Sequence, residues 1–358
     1  MLRYLFVLLI LINGLIHSMG FAKAFGYGAI AQLTKNISKP AGMLWLVTAI
    51  LFIMAAILFL LKKESWPIII FIAILISQVL IISVWKDAKW GTLANIIILF
   101  VAIAHFAGNQ FEGTFSQDVQ ANLRVTNNRK MDMLTDADLQ HLPLPVQKYI
   151  RYCGALNQPK VRNVKIRFDG EMRSRTGNWF QFKTVQYNFF DEPARLFFMK
   201  AKMFGVEVPG YHRYQNETAG MQVKLFGLFP VVQAKGPIMN KAETVTVFND
   251  MCLMAPAILI DRRIRWEPVD SLSAKATFTN GINKITATLY FNEQGQLINF
   301  ISDDRYDISD MKQYCFSTPV KEYQKINERN VVSYAEAVWI YGWLCIQHTN
   351  TQRIHHIG

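Results

Sequence analysis

Four apolar stretches near the start of the chain constrain its fold more than any other feature. They span residues 2–20, 43–61, 66–85 and 91–108, and each is close to the roughly 20 residues that a helix needs to cross the hydrocarbon core of a membrane. Side chains typical of membrane-surface anchors stand at their ends, namely Trp45, Trp66, Trp85, Trp90, Lys62, Lys63, Lys86 and Lys89. We therefore predict four transmembrane helices within residues 1–110 and a multi-pass protein of the cell membrane.

Two questions stay open: whether the first stretch is a membrane span or a signal peptide, and which side of the membrane the C-terminal region occupies. Arg3, a short apolar segment and Ala22-Lys23-Ala24 could also form a cleaved signal peptide. Lys and Arg are enriched on the cytoplasmic side of membrane proteins. The side of the N-terminus carries Arg3, Lys62, Lys63 and Arg124, and the other side carries Lys23, Lys35, Lys39, Lys86 and Lys89. The side of the C-terminal region is therefore undetermined, with a slight bias to the outside.

Polar side chains inside the apolar stretches are costly in lipid and need a partner. Asn13 and His17 lie one helical turn apart on one face. Gln78 and Asn95, in other stretches, are expected in the same half of the bilayer. We predict that these four residues form an interhelical polar cluster. Two roles stay open for it: hydrogen bonds that only hold the helices together, or a small quinone, proton or redox site.

Residues 111–358 have the charge content of an ordinary folded domain, with 30 Lys and Arg against 24 Asp and Glu. Beyond residue 160, short runs rich in Val, Ile, Phe, Tyr and Thr alternate with turn residues, which is typical of antiparallel strands joined by tight turns. We predict strands at 163–173, 179–190, 195–204, 206–214, 220–226, 229–235, 263–268, 273–280, 284–292, 296–306, 319–327 and 331–341.

Two segments of this region favour helices instead. Thr135 followed by Asp138 resembles a capping box and predicts a helix over about 136–153, interrupted near Pro143 and Pro145. Asn240 followed by Glu243 predicts a helix to about 259, which we expect on the concave face of the sheet.

The predicted fold class is α+β. A four-helix transmembrane bundle at 1–110 precedes a mostly antiparallel, curved β-sheet at 135–345, a half-barrel packed on one or two helices. We interpret 111–134 as a connector and 346–358 as a polar tail.

Several motifs resemble, in the same order, those of an uncharacterised bacterial family of unknown function. The resemblance covers about 135–345, and its motifs are at 142–150, 170–173, 179–182, 224–227, 255–259, 265–270 and 291–295, with Gln186 and Arg305. The family implies no catalytic residue. The fold it implies is similar to the half-barrels of periplasmic lipoprotein carriers, which hold acyl chains. The helical segment is similar, more loosely, to four-helix inner-membrane proteins of the DoxX type.

A long curved sheet wrapped around one or two helices tends to leave an apolar cavity at its centre. By their place in the resemblance, we expect it to be lined by Trp179, Phe182, Phe198, Phe226, Trp266 and Phe291. Flexible methionines could add to this lining or simply fill a core, among them Met199, Met203, Met221, Met251 and Met254. A protein fixed in a membrane cannot ferry cargo, so a receiving, presenting or sensing role fits better.

The sequence contains no motif of catalysis or cofactor binding. Its cysteines, Cys153, Cys252, Cys315 and Cys345, form no C-x-x-C pair, and there is no Gly-rich phosphate loop, H-E-x-x-H or G-x-S-x-G. We therefore expect no cofactor and no metal, and a binding protein more than an enzyme. The net charge of +12 is dispersed along the chain, which favours anionic lipid headgroups over nucleic acid as partners.

Three functions remain as hypotheses. The leading one is a membrane protein of the bacterial envelope whose half-barrel binds membrane lipid, or an apolar small molecule or lipidated protein, at the bilayer surface. The second is a redox or quinone-linked membrane component that uses the polar cluster. The third is a structural partner of another membrane protein.

Overall fold

The computed structural model describes residues 2–126, 132–175, 177–203 and 205–341, and the backbone of 351–356. The chain divides into two compact units, Met1–Gln110 and Phe111–Gly358. The first unit is helical and the second contains a large antiparallel sheet. The α+β class predicted from the sequence is thereby confirmed.

The first unit consists of helices that are long and apolar. Its elements are α1 (Leu2–Phe25), α2 (Lys39–Leu60), α3 (Trp66–Ser83), the short α4 (Trp85–Ala88) and the first part of α5 (Gly91–Thr126). α1, α2, α3 and α5 are long and apolar enough to cross a membrane. Leu15, Leu75 and Val79 are 60%, 69% and 63% exposed, as suits side chains that face hydrocarbon, since extensive apolar patches are rare on proteins in water.

Glycines allow α1 and α2 to pack closely. A Cβ atom at Gly20 would lie 2.2 Å from the ring of Trp45, and one at Gly42 would lie 2.3 Å from the Cβ of Ala24. Small residues at such crossings let two helix backbones approach each other, which is how helices associate in membranes. The ring of Trp45 therefore occupies space that only glycine at position 20 leaves open.

The second unit contains a 13-stranded antiparallel sheet. Strands β1 to β6 follow one another outward from its centre, α8 then crosses over, and β7 to β12 return from the opposite edge. Their bounds are β1 Asn163–Met172, β2 Phe180–Phe189, β3 Ala194–Met203, β4 Val206–Gln215, β5 Thr218–Leu225, β6 Phe229–Lys235, β7 Ile264–Pro268, β8 Ser273–Asn280, β9 Asn283–Phe291, β10 Leu297–Asp307, β11 Lys312–Ile326 and β12 Arg329–Ile340. All twelve predicted strands are present.

The sheet is open and wraps around one helix. Ten strand spacings separate β6 from β9 in the sheet order, which is about 48 Å in a flat sheet. Helix α8 (Pro237–Met254) contacts both of these strands, yet its 18 residues are only about 27 Å long. The sheet must therefore curve, and α8 lies on its concave face as predicted.

Helix α8 begins earlier than its predicted cap. It starts at Pro237, after Gly236, whose φ of 101° favours glycine. Asn240 lies inside the helix, and its side-chain oxygen accepts a hydrogen bond from the backbone N–H of Ala219 at 2.8 Å. The expectation that Asn240 caps α8 was wrong, because a contact with β5 uses this side chain. A 3₁₀ helix, Pro256–Ile260, follows α8.

The helix predicted over 136–153 is divided into two short helices, in agreement with the interruption expected near Pro143 and Pro145. They are α6 (Asp136–Leu139) and α7 (Leu144–Tyr152). Thr135 donates from its backbone N–H and its hydroxyl to the Asp138 carboxylate at 2.8 and 2.9 Å. Burial of α7 fixes it in the core, where the Tyr149 hydroxyl donates to the Cys252 carbonyl at 2.7 Å.

The segment interpreted as a connector is largely helical. Residues 111–126 continue α5, and residues 127–131 lie outside the described part of the chain. The buried face of this extension consists of Phe111, Phe115 and Val119. The two phenylalanine rings pack on Phe198 of β3 and Tyr211 of β4. The Tyr211 hydroxyl donates to Asp118 at 2.7 Å. The polar composition of this stretch suggested a loop, but packing on the sheet stabilises it as a helix.

The predicted polar tail contributes a strand. Thr351–His356 forms β13, which pairs with β1 on one side and β12 on the other. Without it, two strand edges with unpaired backbone N–H and C=O groups would face each other. Cys345 and the tail residues 346–350, 357 and 358 lie outside the described residues.

Candidate functional site

A cavity of ≈ 420 Å³ lies between α8 and the concave face of the sheet. This volume is within the range of about 300–1,000 Å³ that is usual for small-molecule sites. Its apolar wall includes Phe168, Met172, Phe180, Phe197, Met199, Ala201, Met203, Val208, Met221, Val223, Val231, Val232, Leu253, Met254, Phe316 and Ala337. Five of these residues are methionines, flexible side chains that adapt to differently shaped apolar ligands.

One face of α8 adds polar side chains to this cavity. Glu243, Thr246 and Asp250 follow a helical spacing of three and four residues, and Asn249 lies beside them. All four are buried. Buried charged groups are stable only when they are paired and hydrogen-bonded, so their partners decide what this face can bind.

Arg195 of β3 pairs with both carboxylates of α8. Its Nε atom donates to Asp250 at 2.7 Å, and its terminal nitrogens donate to Glu243 and to the Gln186 side chain, each at 3.2 Å. Asp250 also accepts from Gln186 at 2.6 Å and from Asn188 at 3.0 Å. This buried network joins β2, β3 and α8, and each of the three guanidinium nitrogen atoms of Arg195 donates one hydrogen bond within it.

Glu243 is ionised in this network. Burial alone would raise its pKa, but the charge of Arg195 and the nearby His212 outweigh burial and lower the pKa to about 2. The Nδ1 atom of His212 lies 3.7 Å from the Glu243 carboxylate. His212 lines the cavity, while its neighbour Tyr211 contacts α5 on the opposite face of the sheet, as the strand alternation predicts.

Arg305 of β10 is the second arginine of the cavity, and its environment differs from that of Arg195. Its guanidinium lies over the rings of Phe316 and Trp339, at 4.0 and 4.9 Å from their centroids. Among the described residues it has no hydrogen-bond or ion-pair partner. Burial lowers the pKa of Arg305 to about 10, with Glu243 opposing the shift, so the side chain is a cation at neutral pH.

Asn249 leaves a second polar group free in the cavity. Its amide nitrogen donates to the Thr318 hydroxyl at 3.1 Å. Its amide oxygen is buried and has no hydrogen-bond partner among the described residues. The cavity thus combines apolar walls with unused polar groups, an arrangement suited to an amphipathic molecule.

None of the six aromatic residues expected to line the cavity is among its lining residues. Trp179 is 40% exposed and carries the guanidinium of Arg173 over its ring, and Phe182 is buried against Phe168. Phe198 is on the opposite face, against α5. Phe226 is in the turn after β5 with a φ of 56°, Trp266 donates to the Leu259 carbonyl at 3.0 Å, and Phe291 packs on Tyr149. Phe198 misses the cavity because of the face of its strand. Phe182 shares the face of its partner Ala201, which lines the cavity, and Trp266 and Phe291 pack with the main core, so these three miss it by their position along the sheet.

The residues that give the site its charge were not expected from the sequence, although a signal was present. Arg195 interrupts a buried apolar strand, and Glu243 and Asp250 are seven residues apart beside the apolar stripe of α8. A charge placed among core residues needs a buried partner. Four of the expected methionines line the cavity, whereas Met251 is in the core.

The first unit brings its four expected polar residues together. Asn13 donates to Asn95 at 3.0 Å, and Asn95 donates to Gln78 at 3.2 Å. Two further residues complete this polar cluster: Ser77 lies 2.8 Å from His17 Nε2 and also bonds Asn95, and Thr92 accepts from Gln78 at 3.0 Å. The cluster joins α1, α3 and α5.

Within this unit the polar cluster adjoins a second cavity. It has a volume of ≈ 310 Å³, and its lining includes Asn13, His17 and Trp45. The rings of Trp45 and His17 lie 5.1 Å apart. The indole N–H of Trp45 is buried without a hydrogen-bond partner among the described residues.

Comparison with known proteins identifies the sheet-forming part of the chain. The model of a family of unknown function, DUF6544, matches residues 132–343. The chain belongs to this family. Every residue that lines the larger cavity lies within the matched range. A comparison with curated proteins finds no match. Among the described residues, no group of three His, Cys, Asp or Glu side chains is placed to hold a metal ion.

Proposed function

We propose that the sheet unit binds a lipid or a similar amphipathic molecule in the cavity beneath α8. The observation that carries this proposal is the wall of methionines and other apolar side chains around a space of ≈ 420 Å³. An empty apolar space of this size is unfavourable because its walls lose van der Waals contacts. An acyl chain restores these contacts, and the polar side chains of α8 accommodate a polar end.

The four apolar helices supply the context for this role. We propose that they anchor the protein in the membrane of the bacterial envelope, with the sheet unit at the bilayer surface and outside the cytoplasm. A tethered lipid-binding unit receives, presents or senses lipid, in contrast to a soluble carrier. The resemblance of the curved sheet to the half-barrels of lipoprotein carriers, which hold acyl chains, supports this proposal.

The first test compares the lipid bound by the wild type with that bound by a variant in which an introduced side chain fills the cavity. The full chain is purified in detergent and examined by native mass spectrometry. Val223→Trp places an indole in the cavity wall, so the variant should retain less lipid than the wild type. Gln222→Trp makes the same change on the same strand but on its other face, and it should retain the wild-type amount. Equal retention in both variants would contradict the proposal.

A second candidate function uses the cavity of the first unit. We propose that a quinone or a related redox molecule binds there, because the unpaired indole N–H of Trp45 could donate to a carbonyl oxygen. Trp45→Phe keeps an aromatic ring and removes the donor, so it should lower the quinone that copurifies with the protein. Trp85→Phe, at an exposed position, is the control. Wild-type protein without quinone would exclude this function and leave a structural role for the polar cluster.

A further inference from the structure

The position of Arg305 depends on an irregularity in its strand. Ser302 of β10 pairs with Phe316 of β11, and Arg305 pairs with Tyr314. Three steps along β10 therefore correspond to two steps along β11, so β10 contains one extra residue. Such a β-bulge reverses the alternation of side chains beyond it and commonly redirects a side chain towards a functional site.

The bulge brings Arg305 onto the concave face. Residues directly opposite each other on paired strands point to the same face, and Phe316 lines the cavity. Tyr314 is two residues from Phe316 on the same strand, so its partner Arg305 shares the cavity face. In a regular strand Arg305 would point to the opposite face. The bulge thus leaves one residue of β10 without a pairing partner on β11 and places the Arg305 cation among apolar side chains.

The carboxylates near Arg305 are used by other groups. Asp250 accepts three hydrogen bonds, and Glu243 binds Arg195. The planar guanidinium of Arg305 instead lies against two aromatic rings, Phe316 and Trp339, which stabilise its charge. Among the described residues its N–H groups have no hydrogen-bond partner. A half-buried cation whose donors have no partner among the described residues favours a ligand that brings its own negative charge.

We propose that Arg305 binds the anionic headgroup, a carboxylate or a phosphate, of a lipid whose acyl chain lies along the methionine-rich wall. This inference rests on the proposed lipid-binding function and adds the chemical class of the ligand. The fork of an arginine can donate two parallel hydrogen bonds to either headgroup. The two aromatic rings beside the guanidinium hold that fork in place before the ligand arrives, which lowers the entropy lost on binding.

The experiment compares lipids that differ only in their headgroup. The full chain in detergent is incubated with equimolar oleic acid, oleoyl lysophosphatidic acid and monooleoylglycerol, and native mass spectrometry counts each bound lipid. Binding that is lost in Val223→Trp is assigned to the cavity. The wild-type cavity should prefer the anionic lipids over monooleoylglycerol by about 10- to 100-fold. The ratio of the two anionic lipids then identifies the headgroup as carboxylate or phosphate.

Variants test whether Arg305 causes the preference. Arg305→Gln keeps hydrogen-bond donors but removes the charge, and it should bind the three lipids about equally. Arg265→Gln, which changes an exposed arginine of β7, should keep the wild-type preference. Persistence of the preference in Arg305→Gln would overturn the inference while leaving lipid binding intact.

The wild-type protein decides the question even if Arg305→Gln does not fold. A wild-type cavity that binds all three lipids equally would overturn the headgroup inference alone. Lipid binding that Val223→Trp does not reduce would instead overturn the proposed function, so the two failures are distinguishable. Loss of the anionic preference in folded Arg305→Gln, together with its retention in Arg265→Gln, would support both.

Discussion

The buried network around Arg195 should contribute strongly to the stability of the sheet unit. Asp250 and Arg195 are 6% and 7% exposed, and their hydrogen bond of 2.7 Å is charge-assisted. Asp250→Ala removes this acceptor and leaves Arg195 with Glu243 as its remaining charged partner. It also leaves the amide nitrogen atoms of Gln186 and Asn188 without their shared acceptor.

The expected size of the effect follows from this geometry. Breaking a buried ion pair by removing one partner destabilises a protein by about 3–5 kcal/mol. For a unit of this size, we expect the unfolding midpoint to fall by roughly 6–20 °C. Asp136→Ala is the matched control, because Asp136 pairs with Arg151 at the surface, where their side chains are 63% and 44% exposed. This surface pair should contribute about 0–1 kcal/mol.

The cysteines provide an assay specific to the sheet unit. All four cysteines follow residue 150, and Cys153 and Cys252 are buried. A fluorogenic thiol dye therefore reports the unfolding of this unit when full-length protein is heated in detergent. A midpoint for Asp250→Ala no lower than that for Asp136→Ala would refute the reasoning that the buried network stabilises the fold.

Three further predictions concern other parts of the chain. The pKa of Glu243 is lowered from 4.5 to about 2, so its ionised form stabilises the folded unit by about 3 kcal/mol above pH 5, and this contribution is lost as the pH falls towards about 2. Glu243→Gln should remove this part of the pH dependence of the unfolding midpoint. An unchanged dependence of the midpoint on pH would contradict the assignment. Phe115→Ala should destabilise the sheet unit by about 3–5 kcal/mol, whereas exposed Gln120→Ala should change it by less than about 0.5 kcal/mol, both measured with the thiol dye. Gly20→Leu should displace Trp45 and reduce the monodisperse fraction in size-exclusion chromatography, and a normal elution profile would argue against the close helix packing.

Local patterns in the sequence were sufficient for the elements of the fold. The four spans follow from the length of their apolar stretches, and the twelve strands follow from side-chain composition and turn residues. The polar cluster of the first unit could also be predicted, because Asn13 and His17 share a helix face and the depth of a residue in the membrane restricts which residues it can meet. These inferences need only the spacing of neighbouring residues.

The extent of two elements depended on tertiary packing. Residues 111–126 have a loop-like composition but form a helix, because Phe111 and Phe115 pack on β3 and β4. Thr351–His356 has the composition of a polar tail but forms a strand, because β1 and β12 offer it backbone partners on both sides. In each case, contacts with residues distant in the sequence outweighed the local preference.

The sequence by itself thus determined the membrane-type helices, the antiparallel strands and the kind of apolar side chain available to a cavity. Only the tertiary structure decided which side chains face that cavity. None of the six expected aromatic residues is among its lining residues, whereas Arg195, Glu243, Asp250 and Arg305 are. The physical reason is that the face of a strand residue depends on register and on bulges, as at Arg305, and a shift of one position reverses the face without altering the local pattern.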